Sequence, residues 1–130
     1  MGRAVKFDGD VVDSCILIDY LNGEVKAQQF LDSTPKLGIS PITWMEVMAG
    51  VPAQNEHQVT AWLERFTILP VDEAVMTATV KLRKLKKLKL PDAIIAATGE
   101  VHDCVIHTRD IDAYAALDKF SFKVNMPYQL

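Results

Sequence analysis

The fold is decided by residues 11–23, which read VVDSCILIDYLNG. The first three residues predict a short buried strand that ends at Asp13, because an apolar pair is followed at once by a charge. The apolar residues that come next predict a helix, and Asn22-Gly23 is a typical place for a helix to stop. A strand that leads directly into a helix is the repeating unit of an α/β fold.

Short apolar runs and helical patterns keep alternating along the rest of the chain. Ser40 and Asp72 are predicted to cap helices, and Pro41 is predicted to be a first helical residue. Further strands are predicted at residues 36–40, 67–71, 104–108 and 122–124, and helices at residues 24–32, 40–50, 55–66, 72–89, 91–102 and 111–117. This alternation predicts one α/β domain over residues 1–130, with a parallel sheet covered on both faces.

Composition limits where the protein acts and what it binds. No apolar stretch approaches the roughly 20 residues that span a bilayer, and the N-terminus is too short and polar for a secretory signal. Cys15 and Cys104 lie among apolar residues, so they are predicted to be reduced core residues of a cytoplasmic protein. The net charge of −3 argues against passive, sequence-blind binding of nucleic acid, because such binders are usually basic.

Four acids lie where predicted elements begin or end. Asp13 ends the first strand and Asp110 follows the fourth, whereas Glu46 and Asp92 lie early in helices. Ligands of parallel sheets gather beyond the carboxyl ends of the strands, so these side chains are predicted to meet at one edge. Each acid alone has an ordinary explanation as a helix cap or dipole partner. Together they would raise one another's pKa unless a cation lay between them, and oxygen ligands suit Mg²⁺ or Mn²⁺.

Two other clusters leave alternatives open. Six basic residues just before Asp92 form either a solvated helix face or a rim that steers phosphates toward the acids: Lys81, Arg83, Lys84, Lys86, Lys87 and Lys89. Large apolar residues on two neighbouring helices either fill the core or line an exposed groove for the helix of a partner: Trp44, Met45, Met48 and Trp62.

Four blocks of the sequence resemble the PIN-domain nucleases, and among these the VapC toxins of bacterial toxin–antitoxin pairs. The blocks are residues 11–21, residues 39–47 (ISPITWMEV), residues 88–98 (LKLPDAIIAAT) and residues 108–110 (TRD), in the expected order. The resemblance implies a three-layer α/β/α PIN-like domain with a central, mainly parallel five-stranded sheet. It also implies a metal-dependent endoribonuclease that leaves a 5′-phosphate and a 3′-hydroxyl.

The family's acidic quartet falls on Asp13, Glu46, Asp92 and Asp110, which the resemblance makes both catalytic and metal-binding residues. Asp13, Glu46 and Asp92 are expected to hold one Mg²⁺ or Mn²⁺, directly or through water. Asp110 is expected to help hold a second ion or to orient the attacking water.

Four further residues are expected to contact the substrate or to support the acids: Ser14, Thr43, Thr108 and Asp112. Asp112 departs from the family pattern, in which an aromatic residue commonly follows the extra acid, because Ala113 separates it from Tyr114. A surface or helix-cap role is an equal alternative for Asp112.

The resemblance names the partners as well: an RNA substrate, a DNA-binding VapB-type antitoxin whose tail shields the acidic site, and a second copy in a homodimer. A phosphatase of the haloacid-dehalogenase type fits poorly, because it needs an aspartate two residues after the first one and Cys15 stands there. A catalytically silent RNA- or protein-binding module with the same fold is the alternative to an enzyme.

Overall fold

The computed structural model describes residues 6–114 and 123–130. Five short strands form one parallel sheet with β1 (Asp10–Val12) at its centre. The other strands are β2 (Leu37–Ile39), β3 (Thr67–Ile68), β4 (Ile106–His107) and β5 (Val124–Asn125), in the order β3-β2-β1-β4-β5. Val11 lies opposite Gly38 on one side and Ile106 on the other, and every neighbouring pair runs parallel. The carboxyl ends of all five strands therefore lie along one edge.

Six α-helices lie within the described residues: α1 (Ser14–Leu21), α2 (Val25–Asp32), α3 (Pro41–Ala49), α4 (Glu56–Leu63), α5 (Glu73–Leu85) and α6 (Leu90–His102). The predicted caps are confirmed, since the Ser40 and Asp72 side chains accept hydrogen bonds from the first turns of α3 and α5. The predicted stop after α1 is also confirmed. Gly23 there takes a φ of 84°, a left-handed conformation that favours glycine.

The two faces of the sheet carry separate cores. Val11 and Val12 point in opposite directions, because side chains alternate along a strand. Val11 packs with Ile106 and with Ile95 of α6 in a core that α5 also covers. Val12 packs with Ile16 in a second core, to which α1, α2, α3 and α4 contribute. The predicted three-layer α/β/α architecture is confirmed.

Several element boundaries differ from the predictions. α5 ends at Leu85 instead of continuing toward residue 89, because Lys86 takes an extended backbone conformation. α4 ends at Leu63, and the strands are shorter than the apolar runs that predicted them. Ile111–Ala113 forms a single 3-10 turn, while residues 115–117 of the helix predicted there lie outside the described residues. The last strand begins at Val124, and residue 122 also lies outside them.

Both cysteines are free thiols, as predicted. Burial is the main cause that raises the pKa of Cys104 to about 11, so this thiol stays protonated at neutral pH. None of the described helices is long and apolar enough to cross a membrane.

Candidate functional site

Asp13 is fixed at the junction between β1 and α1. Its Oδ1 accepts a hydrogen bond from the backbone N–H of Ser14 at 2.8 Å, and the Ser14 hydroxyl lies 3.5 Å from the same oxygen. Its Oδ2 accepts hydrogen bonds from Thr108 Oγ1 at 2.9 Å and from the Tyr114 hydroxyl at 3.2 Å. Asp13 is only 7% exposed, so these donors replace most of the water that a carboxylate would otherwise bind.

Thr108 connects Asp13 to the loop that carries Asp110. Its hydroxyl donates to Asp13 and accepts a hydrogen bond from the backbone N–H of Asp110 at 3.0 Å. The Cys15 sulfur lies 3.5 Å from the same hydroxyl. Thr108 is fully buried, whereas Asp110 is exposed at the carboxyl edge of the sheet. The predicted supporting role of Thr108 therefore has a physical basis in three contacts.

The carboxyl of Asp92 lies within reach of the charges of the other three predicted acids. It lies in the first turn of α6, where an acid is favoured by the helix dipole. Burial raises the pKa of its carboxyl, and the charges of Asp13, Asp110 and Glu46 raise it further. The charge of Lys89 opposes this shift. Carboxylates from three other parts of the chain therefore act on Asp92 at this edge of the sheet.

The remaining predicted residues differ in their surroundings. Glu46 is exposed on α3, one helical turn after Thr43. Thr43 is fully buried, and its hydroxyl has no hydrogen-bond partner among the described residues. Asp112 lies exposed in the turn after Asp110. Asp13, Asp110 and Glu46 are therefore near enough to Asp92 to raise its pKa, whereas Asp112 is not among the groups that act on it.

The charge of this edge fits a hard divalent cation. The acids offer oxygen ligands, and the charge of Lys89 counters their effect on Asp92. Within residues 6–114 and 123–130, no group of three or more His, Cys, Asp or Glu side chains is arranged to hold a metal ion. An ion at this edge would therefore bind through one or two carboxylates and keep several waters, as Mg²⁺ usually does.

A salt bridge near the acids was missed from sequence. Asp19 is buried on α1 and accepts hydrogen bonds from Arg109 Nε and, at 3.0 Å, from Arg109 Nη2. The Tyr128 hydroxyl donates to the same carboxylate at 2.6 Å. Arg109 lies between Thr108 and Asp110, so this network fixes the loop that carries the fourth acid. An acid inside the apolar run of residues 15–21 was the available signal, because such a charge needs a partner.

Tyr114 was also missed as a functional residue. Burial is the first cause that raises the pKa of its hydroxyl, and the charges of Asp13 and Asp92 add to it, so the hydroxyl keeps its proton and donates to Asp13. No local sequence pattern predicts this contact, because Tyr114 and Asp13 are 101 positions apart in the chain.

An apolar groove of about 530 Å³ lies beside the acids. Glu46 is one of its lining residues and also acts on Asp92, so the groove opens onto the acidic edge. Most of its apolar wall comes from residues that were not predicted: Ile18, Leu21, Val47, Val51 and Val59.

The predicted large apolar residues divide between core and surface. Trp44, Met48 and Trp62 pack against the core, although Trp62 also lines the groove. Met45 is 52% exposed and does not line the groove. Core packing is therefore confirmed for Trp44, Met48 and Trp62, whereas an exposed groove for the helix of a partner stays a prediction.

Comparison with known proteins identifies the family. The PIN domain family matches residues 11–119, which is most of the chain. The chain belongs to the PIN domain family. This PIN domain is also 29% identical over 109 residues to Ribonuclease VapC10 from Mycobacterium tuberculosis, across 78% of this chain and 82% of that protein.

Solved structures share the fold of this PIN domain. A chain of a toxin–antitoxin complex from Klebsiella pneumoniae has a TM-score of 0.81 and 37% identity, covering 93% of this chain and 99% of that one. A chain of FitAcB from Neisseria gonorrhoeae has a TM-score of 0.75 and 25% identity, covering 92% and 99% respectively. The predicted resemblance and the predicted fold class are both confirmed.

Proposed function

We propose that this PIN domain is an endoribonuclease toxin of the VapC type, neutralised by a VapB-type antitoxin. The observation that carries the proposal is the acidic edge, where the charges of Asp13, Asp110 and Glu46 act on the carboxyl of Asp92. The similarity to Ribonuclease VapC10 supports RNA as the substrate. The similarity to a chain of a toxin–antitoxin complex supports the partner.

The proposed chemistry is hydrolysis of an RNA phosphodiester. When bound, Mg²⁺ or Mn²⁺ supplies activation of water and stabilisation of the charge on the leaving oxygen. Asp13, Glu46 and Asp92 would hold the ion, directly or through water, and Asp110 would help to hold a second ion or orient the attacking water. Thr108 and Tyr114 fix the orientation of the Asp13 carboxylate through their hydrogen bonds to Oδ2.

Two of the remaining predicted residues are proposed to serve the site in different ways. Ser14, which adjoins Asp13 at the start of α1, is proposed to contact the substrate. Thr43 is fully buried one turn before Glu46 on α3, so it is proposed to support Glu46 and not to contact the substrate. Both lie on helices that follow directly from the carboxyl ends of strands, where ligands of such sheets bind. Asp112 keeps a surface role in this proposal.

The groove is the proposed site for the antitoxin. Apolar side chains of α1 and α4 line it, which suits the apolar face of an amphipathic helix. A chain bound there and continuing past Glu46 reaches the acidic edge, because Glu46 belongs to both. An arginine in that chain would pair with the carboxylates and exclude the substrate.

A homodimer is proposed through an exposed apolar face of α5. Met76 and Val80 lie four residues apart on this helix, so they share one side of it, and they are 53% and 55% exposed. A second copy would remove this surface from water, as expected for an interaction site.

The test of the function is cleavage of RNA by the purified chain and by Asp13→Asn. The substitution removes the charge but keeps the oxygen that caps α1, and the hydroxyls of Thr108 and Tyr114 are free to reorient toward the new amide. We expect Mg²⁺- or Mn²⁺-dependent cleavage by the parent, its loss with EDTA, and its loss in a folded Asp13→Asn protein.

Asp103→Asn is the matched control. Asp103 is exposed at the C-terminal end of α6 and has a φ of 53°, a conformation that asparagine tolerates well. We expect this variant to cut RNA like the parent. Undiminished cleavage by Asp13→Asn would overturn the proposed site. RNA binding by the parent without any product would instead favour the silent binding module.

A further inference from the structure

The end of α5 and the connection to α6 are rich in positively charged side chains, to which the proposed acidic site assigns no role. Six of the chain's fourteen basic residues lie in residues 81–89, here called the lysine-rich segment. All six are exposed, and none forms an ion pair with a described carboxylate. By contrast, Lys36, Arg65 and Arg109 elsewhere in the chain each pair with an aspartate.

The backbone of this segment has a defined shape. α5 ends at Leu85, and Lys86 turns the chain into an extended conformation. The N–H of Leu88 then donates to the carbonyl of Lys86 at 2.9 Å, and Arg83 Nε donates to the carbonyl of Leu88 at 3.2 Å. The connection is thus held against the end of α5, and its lysine side chains remain in solvent.

The segment leads directly into the acidic edge. Lys89 precedes the first residue of α6, and Asp92 lies three positions later in the first turn, so the two lie on the same side of the helix start. The charge of Lys89 acts on Asp92, which agrees with this closeness. Positive charge therefore borders the four carboxylates on the α6 side.

The acids repel a polyanion such as RNA, so its binding needs positively charged side chains close to them. The whole chain has a net charge of −3, and the carboxylates at the sheet edge repel phosphates wherever bound cations do not neutralise them. Affinity for nucleic acid comes mainly from Lys and Arg contacts to phosphates. The lysine-rich segment is the densest source of such contacts in the sequence.

We infer that the lysine-rich segment binds the phosphate backbone of the RNA substrate on one side of the scissile bond. The inference rests on the proposed function and adds a docking surface to it. Lys86 and Lys87 lie at the middle of the segment and make phosphate contacts, while Lys89 lies nearest to the carboxylates. Because these contacts involve phosphates and not base edges, they contribute affinity without sequence preference.

The test compares two double variants with the same change of charge. Lys86→Gln/Lys87→Gln removes two charges from the segment. Lys6→Gln/Lys123→Gln removes two exposed charges that precede β1 and β5, at the opposite edge of the sheet. Binding to a short fluorescent single-stranded RNA is measured by anisotropy over a series of salt concentrations, in an Asp13→Asn background that prevents cutting.

We expect the segment variant to bind RNA more weakly at low salt than its background. The slope of log affinity against log salt should fall in magnitude by about 0.7 for each lysine that contacts a phosphate. In the enzyme that retains Asp13, the segment variant should have a lower kcat/KM than the parent, mainly because its KM is higher. The opposite-edge variant should keep the slope of its background.

Equal slopes for the segment variant and its background would overturn the inference, and so would an equal loss in the two double variants. Failure of the proposed function gives a different result. In that case the parent chain does not cut RNA at all, while the anisotropy comparison still reports whether the segment binds phosphates.

Discussion

The surroundings of Asp92 disfavour the negative charge of its carboxylate. Burial and three neighbouring carboxylates all raise its pKa, and the charge of Lys89 acts in the other direction. Because the folded-state pKa lies above the ordinary value of 3.8, the ionised form of Asp92 costs stability at neutral pH. That cost shrinks as the pH falls toward 3.8, where the unfolded chain also takes up the proton. A site of this kind trades stability for function.

Replacement of this charge should therefore stabilise the protein when metal is absent. We expect Asp92→Asn to raise Tm in EDTA at neutral pH, and the gain to narrow as the pH is lowered toward 3.8. Mg²⁺ should raise the Tm of the parent but not that of the variant, because binding only to the folded state stabilises it. Thermal unfolding at several pH values measures both effects. A lower Tm for Asp92→Asn in EDTA would show that the acids do not repel one another.

The four acids and the donors to Asp13 show how much of the site could be predicted from the sequence. Asp13, Glu46, Asp92 and Asp110 could be selected because each follows a recognisable strand or helix signal. Thr108 was named as a supporting residue only through the family resemblance, and Tyr114 was not selected, since it reaches Asp13 only through long-range packing.

At the scale of elements, helix starts with a capping side chain were predictable, and the ends of α4 and α5 were not. Ser40-Pro41 and Asp72 carry local chemistry that starts a helix, and both starts were correct. The end of α5 was misjudged because Leu82, Leu85 and Leu88 have helical spacing. Leu85 is in fact 58% exposed, so extending the helix past it would bury little apolar surface.

Residues 108–110, which follow β4, are held by a contact between separate elements. Asp19 of α1 joins Arg109 of this loop and Tyr128 of the C-terminal segment. We expect Asp19→Asn to lower the free energy of unfolding by about 2 kcal/mol, since hydrogen bonds to a buried charge are lost. RNA cleavage should also slow, because Asp110 follows Arg109 directly. Urea unfolding and initial cleavage rates give the two quantities.

The matched control is Asp32→Asn, which removes a longer and more exposed salt bridge. Arg65 Nη2 lies 3.4 Å from Asp32 there, and the two side chains are 37% and 61% exposed. We expect a change below about 1 kcal/mol, as is usual for surface ion pairs. Equal losses in Asp19→Asn and Asp32→Asn would contradict the role given to the buried network.

At the scale of the whole molecule, the topology brings distant residues together. β1 lies at the centre of a parallel sheet, so the ends of β1, β2 and β4 open at one edge with the start of α6 beside them. The order of strands and helices along the chain was predictable from the alternation of apolar runs and helical patterns. The groove was not, because its wall combines residues from α1, α3 and α4 whose relative packing no local pattern records.

The groove gives a prediction that separates toxicity from neutralisation. Leu21 lines the groove and is 38% exposed, so Leu21→Glu places a charge where an apolar helix would dock. We expect this variant to cut RNA but to escape inhibition by the antitoxin. Cleavage assays with and without antitoxin measure this.

Val25→Glu serves as the comparison for the groove variant. Val25 is 57% exposed on α2 and does not line the groove, so the same new charge should leave inhibition intact. Full inhibition of Leu21→Glu would place the antitoxin on another surface.

The most direct test of the acidic site is a crystal of the parent chain soaked in Mn²⁺, examined by anomalous diffraction. The account predicts a strong anomalous peak between the carboxylates of Asp13 and Asp92, and loss of that peak in Asp92→Asn. A parent crystal with no peak at this edge, or with Mn²⁺ bound only elsewhere, would contradict it.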